Sequence, residues 1–322
     1  MNNINILLIF DTILLVWRFG MRSTSFNGVF RLAIDANGLE YDKWKTGEGF
    51  PVETCVCNLS YFFNGAFDLH WHKGLEFTVV LQGQMEYQVN DKHYRMEKGD
   101  CVFVNSGAMH SGRYVDDGGC RYLVISFLTS AIDGDPDGAF AKKFFEGVMD
   151  AKSLPSMLFE NGSNDMSSLC ISIHEIMKKK EDGWEIEVKG ILCQLWHLFY
   201  KEAKRLSGLS VEKPLSVSPI KKAIQYMNDN YASKLNLEEI ASMCNLSKSE
   251  FCRCFKRITR QTAFEYLMGL RIKKSIQLLE EEGLSVTEAA QNTGFSNSSY
   301  YTKIFRRYMG CTPREYLRRR KG

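Results

Sequence analysis

The sequence predicts a multidomain chain of mixed α and β class. A β-barrel with a helical extension comes first. An all-α domain with two helix-turn-helix units, joined by a linker helix, follows. Three observations predict this. Short β-rich runs punctuated by turn residues fill the region from 28 to 130. Helical spacing takes over from 139 to 206. The last hundred or so residues contain an internal repeat with an offset of 50.

The β-rich runs include Phe77–Leu81, Met85–Val89, Cys101–Val104 and Arg121–Phe127. Gln82-Gly83, Asn90-Asp91, Lys98-Gly99-Asp100 and Asp117-Gly118-Gly119 supply turns between them. Regular short strands with Gly turns suggest a barrel or a sandwich. Met166–Lys180 and Trp184–Arg205 read as helices anchored by Ile171, Ile176, Leu192, Leu195, Trp196 and Phe199. The Ser-, Gly- and Pro-containing stretch 207–217 reads as a linker. Domain limits follow: an N-terminal extension at 1–20, a barrel at 21–135, a helical extension at 136–206, and the all-α domain at 218–322.

Residues 255–267 read FKRITRQTAFEYL and residues 305–317 read FRRYMGCTPREYL. Upstream, Leu237, Ile240, Ala241 and Cys244 form one helix stripe, and Val286, Ala289, Ala290 and Thr293 form its counterpart. A three-residue turn follows each, Asn245-Leu246-Ser247 and Gly294-Phe295-Ser296. Asn and Gly tolerate the left-handed backbone that such a turn needs. Ser247 and Glu250 have the spacing of a capping box. The next helix buries Phe251, Cys254, Phe255 and Ile258 in one copy, and Tyr301, Ile304, Phe305 and Tyr308 in the other. Its opposite face carries Ser249, Cys252, Arg253 and Lys256 in the first copy, then Ser299, Thr302, Lys303 and Arg306 in the second. Small side chains let a helix sit deep in a major groove, where Arg and Lys reach guanine edges or phosphates. A basic face on one helix is usually only a solvated face. Two copies in register, each with its turn, favour DNA. Between them a helix from about Phe264 to Glu282 is expected, burying Phe264, Met268, Ile272, Ser275 and Leu279.

Charge agrees. The net charge of +3 hides an asymmetry: from Ser218 onward there are 19 Lys and Arg against 10 Asp and Glu, whereas the first 217 residues hold 22 against 28. A basic C-terminal third on an acidic body points to a polyanion partner for that third. The 10 cysteines include no Cys-x-x-Cys pair, so they read as reduced cytosolic thiols and the chain as cytoplasmic. Ile4 to Val16 is apolar apart from Asn5, Asp11 and Thr12, shorter than the roughly 20 residues of a membrane span. It lacks the flanks of a signal peptide. Residues 1–20 are expected to lie outside the folded protein, with translation starting at Met21; a loosely packed N-terminal helix is the alternative. No membrane partner is expected.

Residues 220–320 closely resemble the DNA-binding domain of the AraC/XylS regulators. Gly294-Phe295, Tyr300-Tyr301, Phe305-Arg306-Arg307, Gly310, Thr312-Pro313 and Tyr316 carry the resemblance most specifically. It implies base contacts from Ser249, Cys252 and Arg253 in the first unit, and from Ser298, Ser299, Thr302 and Lys303 in the second. Two departures are Arg260, where the family commonly has Gly, and Ala263, where it often has Pro. Arg260 as a helix C-cap costs about 1 kcal/mol.

In the barrel region, His70-Trp71-His72, Glu76 and a later His110 are spaced so that His70 and His72 share a strand face. Together with Gly83, Gly99-Asp100 and Gly107 they resemble the two cupin motifs, with Asn105 where a Pro is usual and one residue fewer between Gly65 and His70. A cupin-like barrel is common in AraC-type regulators. Three His and one Glu make a workable divalent-metal set; equally, these four residues would hydrogen-bond a small-molecule effector such as a carbohydrate. Phe62, Phe67, Trp71, Phe77, Tyr87 and Tyr94 either stack on a sugar or form barrel core. The resemblance implies a sequence-specific regulator on double-stranded DNA, responding to an effector in the barrel. A homodimer through the 166–206 helices is implied as well, as is contact with RNA polymerase, although the helix stripes equally suit internal packing. Cupin sites also support enzyme chemistry, but a fused DNA-binding domain makes sensing the simpler role.

Overall fold

The computed structural model describes residues 49–62, 65–115, 118–133, 138–146, 154–162, 165–207 and 217–321. They fall into two compact units, divided between Ser207 and Val217. The extension at 1–20, the strands expected from 28 to 48, Asp117 and most of the linker lie outside the described residues.

Among the described residues the first unit forms an antiparallel barrel of eight strands: β1 (Val52–Asn58), β2 (Ala66–His70), β3 (Leu75–Val89), β4 (Lys92–Glu97), β5 (Cys101–Val104), β6 (His110–Tyr114), β7 (Cys120–Phe127) and β8 (Ser156–Phe159). The order β1-β7-β3-β5-β8 forms one side, while β6 bridges β2 and β3, and β4 pairs with β3. Strand β3 is the spine. Side chains alternate along a strand, and here both faces are covered. Leu75, Phe77 and Val79 point to one buried cluster, and Val80, Met85, Tyr87 and Val89 belong to another. The runs Phe77–Leu81 and Met85–Val89, expected as separate strands, are therefore one strand of 15 residues. Gln82-Gly83 does not reverse the chain. Instead the register against β7 slips between Val80 and Gln82, as at a β-bulge. Gly83 has φ +80, and a Cβ there would stand 2.2 Å from the Gly119 carbonyl oxygen. This glycine permits a bulge and a close strand approach, which a sequence reads as a turn. The bend lets the first half of β3 pair with β5 and β7, and the second half with β4 and β6.

Asn90 (φ +53) and Gly99 form the turns after β3 and β4, as expected. Asn105, which stands where a cupin pattern has Pro, has a use for its N–H. It donates to the Pro155 carbonyl at 2.9 Å, and its side-chain amide donates to Leu154 at 3.0 Å. Proline has no N–H to donate. These bonds tie the β5–β6 loop to the segment entering β8.

Helices α1 (Met166–Lys179) and α2 (Trp184–Ser207) cover the outer face of the sheet. Leu192, Leu195, Trp196 and Phe199 are all buried there. Phe199 lies 4.0 Å, centroid to centroid, from Phe103. Burying one such ring is worth about 1.5–3 kcal/mol. The α2 stripe is thus occupied by packing within its own unit. Ile171, expected as an anchor, is 41% exposed. The buried stripe of α1 is Met166, Cys170 and Ile173, so Ile171 falls just off it.

The second unit is all-α: α3 (Ser218–Asp229), α4 (Leu237–Met243), α5 (Lys248–Thr259), α6 (Ala263–Glu281), α7 (Val286–Asn292), α8 (Ser298–Met309) and α9 (Pro313–Lys321). The sequence repeat is also a structural repeat. In the turn after α4, Leu246 N–H donates to Ala241, and after α7, Phe295 N–H donates to Ala290, both at 3.0 Å. Asn245 (φ +56) and Gly294 (φ +82) supply the left-handed residue. Thr262–Glu265 and Thr312–Glu315 form matching reciprocal bonds ahead of α6 and α9. The box expected at Ser247–Glu250 has only the Ser247 side-chain bond described, 3.3 Å from the Glu250 N–H; the reciprocal box stands instead at Ser285–Glu288. In α6, Met268, Ile272, Ser275 and Leu279 are buried as expected, together with Leu267 and Ile276. Phe264 is 54% exposed. It sits in the first turn of α6, where the chain has only just entered the helix.

Arg260 and Gly310 occupy the same cap 50 residues apart. Their φ values are +62 and +69, and each N–H returns to the helix, to Lys256 and Arg306. A side-chain-bearing residue pays roughly 1–2 kcal/mol for that backbone. Arg260→Gly should therefore raise unfolding stability by about 1 kcal/mol. Thermal denaturation should show a higher Tm than the parent, and an unchanged or lower Tm would exclude strain at this cap.

Candidate functional site

Two sites are built by these elements. On the second unit, α5 and α8 each bury one stripe and expose the other. Phe251, Phe255 and Ile258 anchor α5, and Tyr301, Ile304 and Phe305 anchor α8. Cys254 and Tyr308, expected in these stripes, are half-buried. On the opposite faces Ser249, Arg253 and Lys256 are exposed and Cys252 is half-buried. Ser298, Ser299, Lys303 and Arg306 are exposed, and Thr302 is half-buried. The Thr302 hydroxyl donates back to the Ser298 carbonyl at 2.9 Å. Each N-terminus is capped, α5 by Ser247 and α8 by Asn297, whose side chain accepts from Ser299 and Tyr300.

The α6 helix links the two motifs. Its Tyr266 packs edge-on against Phe255 at 5.7 Å, and the carbonyl of its Glu265 accepts from the Tyr308 hydroxyl at 2.8 Å. Near its middle, the largely buried Arg271 donates to three carbonyls: Tyr231 at 2.7 Å, Ser233 at 2.8 Å and Gly294 at 2.9 Å. One planar guanidinium thus joins the α3–α4 loop, the linker helix and the turn of the second motif. Gly294 is required by this approach as well as by its φ. A Cβ there would meet the Ala232 carbonyl oxygen at 2.6 Å and Arg271 Cζ at 2.9 Å.

In the barrel, the structure brings His70, His72, Glu76 and His110 together, all buried. His70 ends β2 opposite His110 at the start of β6. The ring centroids of His70 and His110 are 4.1 Å apart, and those of His72 and His110 are 4.9 Å apart. Ligand nitrogens of the three rings lie within 4.8 Å of one another. Glu76 Oε2 faces His72 Nε2 at 3.0 Å and His110 Nε2 at 3.7 Å. Its Oε1 accepts from the Thr78 hydroxyl at 2.7 Å and the Tyr87 hydroxyl at 2.8 Å. Burial, reinforced by the neighbouring His72, lowers the His70 pKa to about 4; burial and His70 lower that of His110 to about 3. Both shifts favour the uncharged imidazole. Burial pushes the Glu76 carboxyl up, but His110, His72 and Thr78 outweigh it and hold it well below the usual carboxylate range. Phe67 packs edge-on against His70 and Tyr87, and tilted against Tyr122.

Residues 60–196 match the AraC-like ligand binding domain, and residues 240–319 match a helix-turn-helix domain. The chain belongs to the AraC/XylS family of transcription regulators. It is 28% identical over 287 residues to the uncharacterized HTH-type transcriptional regulator YdeC of Bacillus subtilis, covering 88% of this chain and 97% of that protein. It is 24% identical to the HTH-type transcriptional activator RhaS of Escherichia coli, covering 80% and 89%. Over 125 residues it is 34% identical to the Msm operon regulatory protein of Streptococcus mutans, covering 35% and 44%. AraC/XylS proteins are regulators and not enzymes. This chain is accordingly a DNA-binding transcription regulator with a ligand-binding domain. Among the described residues no helix is long and apolar enough to cross a membrane.

Sequence reading missed Thr78 as a site residue and ranked Tyr87 with the aromatic core. The signal was there for Thr78, which is two residues from Glu76 on one strand and so shares its face. Tyr87 reaches Glu76 only because β3 bends between them. Phe77, weighed as a sugar-stacking ring, points to the helices instead. The Tyr94 hydroxyl is bonded to that of Ser156 at 2.8 Å. Hydrogen bonds to a buried charge are worth about 1.5–3 kcal/mol. Tyr87→Phe should lower unfolding stability by about that amount in chemical denaturation. An unchanged midpoint and slope would mean that Tyr87 does not hold Glu76.

Proposed function

We propose that the chain is a sequence-specific transcription factor that reads DNA with both helix-turn-helix units and responds to a small effector held by the His70–His72–Glu76–His110 cluster. The observation that carries the first part is the duplicated recognition face. Two helices, each capped, anchored and supported alike, present small polar and basic residues outward. Ser249, Cys252, Arg253, Ser298, Ser299, Thr302 and Lys303 are the base-reading candidates, and Lys256 and Arg306 extend the two faces toward phosphate. The effector reading is supported by a buried polar cluster bordered by aromatic rings. Among small molecules a carbohydrate suits that combination, since hydroxyls pair with imidazole and carboxylate while the ring face lies on Phe67.

The protein acts in the cytoplasm as a homodimer. The outward faces of α1 and α2 are the candidate interface, since Ile186 and Ile171 remain exposed there while the inward stripes are already covered. A dimer brings paired half-sites under one regulator, as two-fold operators require. Contact with RNA polymerase would convert DNA occupancy into activation. Effector binding shifts the balance between two states of the regulator that differ in DNA affinity.

The deciding experiment is selection of bound sequences from a random DNA pool by the full chain, followed by sequencing. Two enriched blocks about one helical turn apart are expected. Binding without enrichment would overturn the base-reading assignment. On the selected site, Arg253→Ala should weaken binding by about 1–3 kcal/mol and relax preference at one base position. Uniform weakening across all sequences would instead make Arg253 a phosphate contact. Affinity should fall linearly on a log–log plot against salt, as counterions are released; a flat response would exclude a phosphate-tracking surface.

A further inference from the structure

We infer that Cys55 and Cys57 form a two-sulfur site for a soft metal ion on the inner wall of the barrel. The inference goes beyond the effector reading of the histidine cluster and does not rest on it.

It begins with a spacing. Cys-x-Cys is too short for the paired-cysteine loops that hold structural zinc. In a strand, however, residues two apart share a face. Both cysteines stand in β1, with Cys55 opposite Val124 and Cys57 opposite Tyr122 of β7. The intervening residues show which face is theirs. The Thr54 hydroxyl oxygen lies 2.9 Å from His174 Nδ1 on α1, and Val52 and Val56 pack with the helix layer. Cys55 and Cys57 therefore turn the other way. Cys57 packs against the inner cluster that holds Phe67, Tyr87 and Tyr122. Both thiols are free and half-buried, and their sulfurs stand 3.5 Å apart.

That distance selects the chemistry. Same-face β carbons two residues apart on an extended strand are about 6.6 Å apart, whereas a disulfide needs about 3.5–4.5 Å. Closing a disulfide would pull β1 out of its unbroken register with β7. One ion asks for far less. Two sulfurs held at about 2.3 Å from one tetrahedral ion lie about 3.8 Å from each other. The strand thus keeps the pair at chelating distance and opposes the bond between them.

Tyr122 adds a second support. Burial raises the pKa of its hydroxyl well above that of an ordinary phenol, and the neighbouring Cys57 raises it further. A phenol held protonated is a donor, and its hydrogen bond to Cys57 favours the thiolate over the thiol. Thiolates select soft ions such as copper(I), zinc and cadmium over magnesium, calcium and manganese. Two thiolates leave a divalent ion with no net charge, which suits a half-buried wall. From Tyr122 the wall continues through Phe67, at 5.9 Å between ring centroids, to His70, at 5.6 Å. The sulfur pair is therefore two rings away from the candidate effector cluster.

The test uses the full chain, reduced, stripped with chelator and titrated with cadmium(II). A thiolate-to-cadmium charge-transfer band in the ultraviolet should grow and saturate at one equivalent per chain. Imidazoles contribute nothing to that band, so the histidine cluster does not imitate it. In the loaded protein, Cys55 and Cys57 should both resist iodoacetamide in peptide mass spectrometry, while the exposed Cys193 is alkylated with or without the ion. Magnesium(II) should protect neither. Cys55→Ser and Cys57→Ser should each weaken cadmium binding on the order of 100-fold, because the second sulfur of a chelate binds intramolecularly. The Tm of each variant checks that it is folded. Parent protein that shows no saturable band overturns the inference. So does equal alkylation of Cys55 and Cys57 with and without cadmium, a comparison that needs no variant. A band that persists undiminished in the folded Cys55→Ser and Cys57→Ser proteins overturns it as well, by placing the ion at other cysteines.

Discussion

The bend in β3 is the constraint on which the barrel depends. A straight strand of 15 residues would serve one sheet. The register slip at Val80–Gln82 turns its second half so that one strand pairs with four others. The same bend sets the site. Glu76 and Thr78 lie before it and Tyr87 after it, yet Tyr87 and Thr78 converge on one carboxylate oxygen. Meanwhile Phe77 and Val79, alternating with the site residues, are buried with α1 and α2. Packing on the outer face therefore fixes the height of the polar residues on the inner face. A substitution in the helix layer is transmitted to Glu76 by nothing more than the alternation of a strand.

Arg271 plays the corresponding part in the second unit, by different physics. Its three bonds all go to backbone carbonyls, which are properties of chain path and not of side-chain identity. Two helix-turn-helix motifs can each be stable and still be loosely joined. A buried guanidinium that loses one of its acceptors costs more than a surface contact, because the charged group has already left water. Arg271 therefore penalises any displacement of the second motif's turn relative to α6 and the α3–α4 loop. Burial lowers its pKa, but a guanidinium has ample reserve and stays charged.

What was legible in the sequence was whatever depends on local spacing. The repeat, the two polar helix faces turned to solvent, the left-handed turn residues and the left-handed cap at Arg260 all follow from residues within a turn or two of each other, and each appears where it was read. The convergence of His70, His72, Glu76 and His110 was also legible, through motif spacing. The failures share one cause. Gly83 reads as a turn because a bulge and a reversal use the same residue, and only the partner strand distinguishes them. Phe264 and Ile171 have the right character for a helix stripe. Whether a stripe position is covered depends on where the neighbouring element ends, which no helix period contains. Arg271 reads as an ordinary cation on a basic helix, because its acceptors lie 23 to 40 residues away in sequence.

The barrel cluster can be characterised by what it lacks. Nδ1 of each ring is spent on a carbonyl, the Thr78 and Tyr87 hydroxyls are spent on Oε1, and His70 and His110 are held neutral by burial. What remains for an occupant at His110 and Glu76 is a lone pair and an anionic oxygen. Such a surface favours cations and hydroxyl donors over free carboxylates and phosphates.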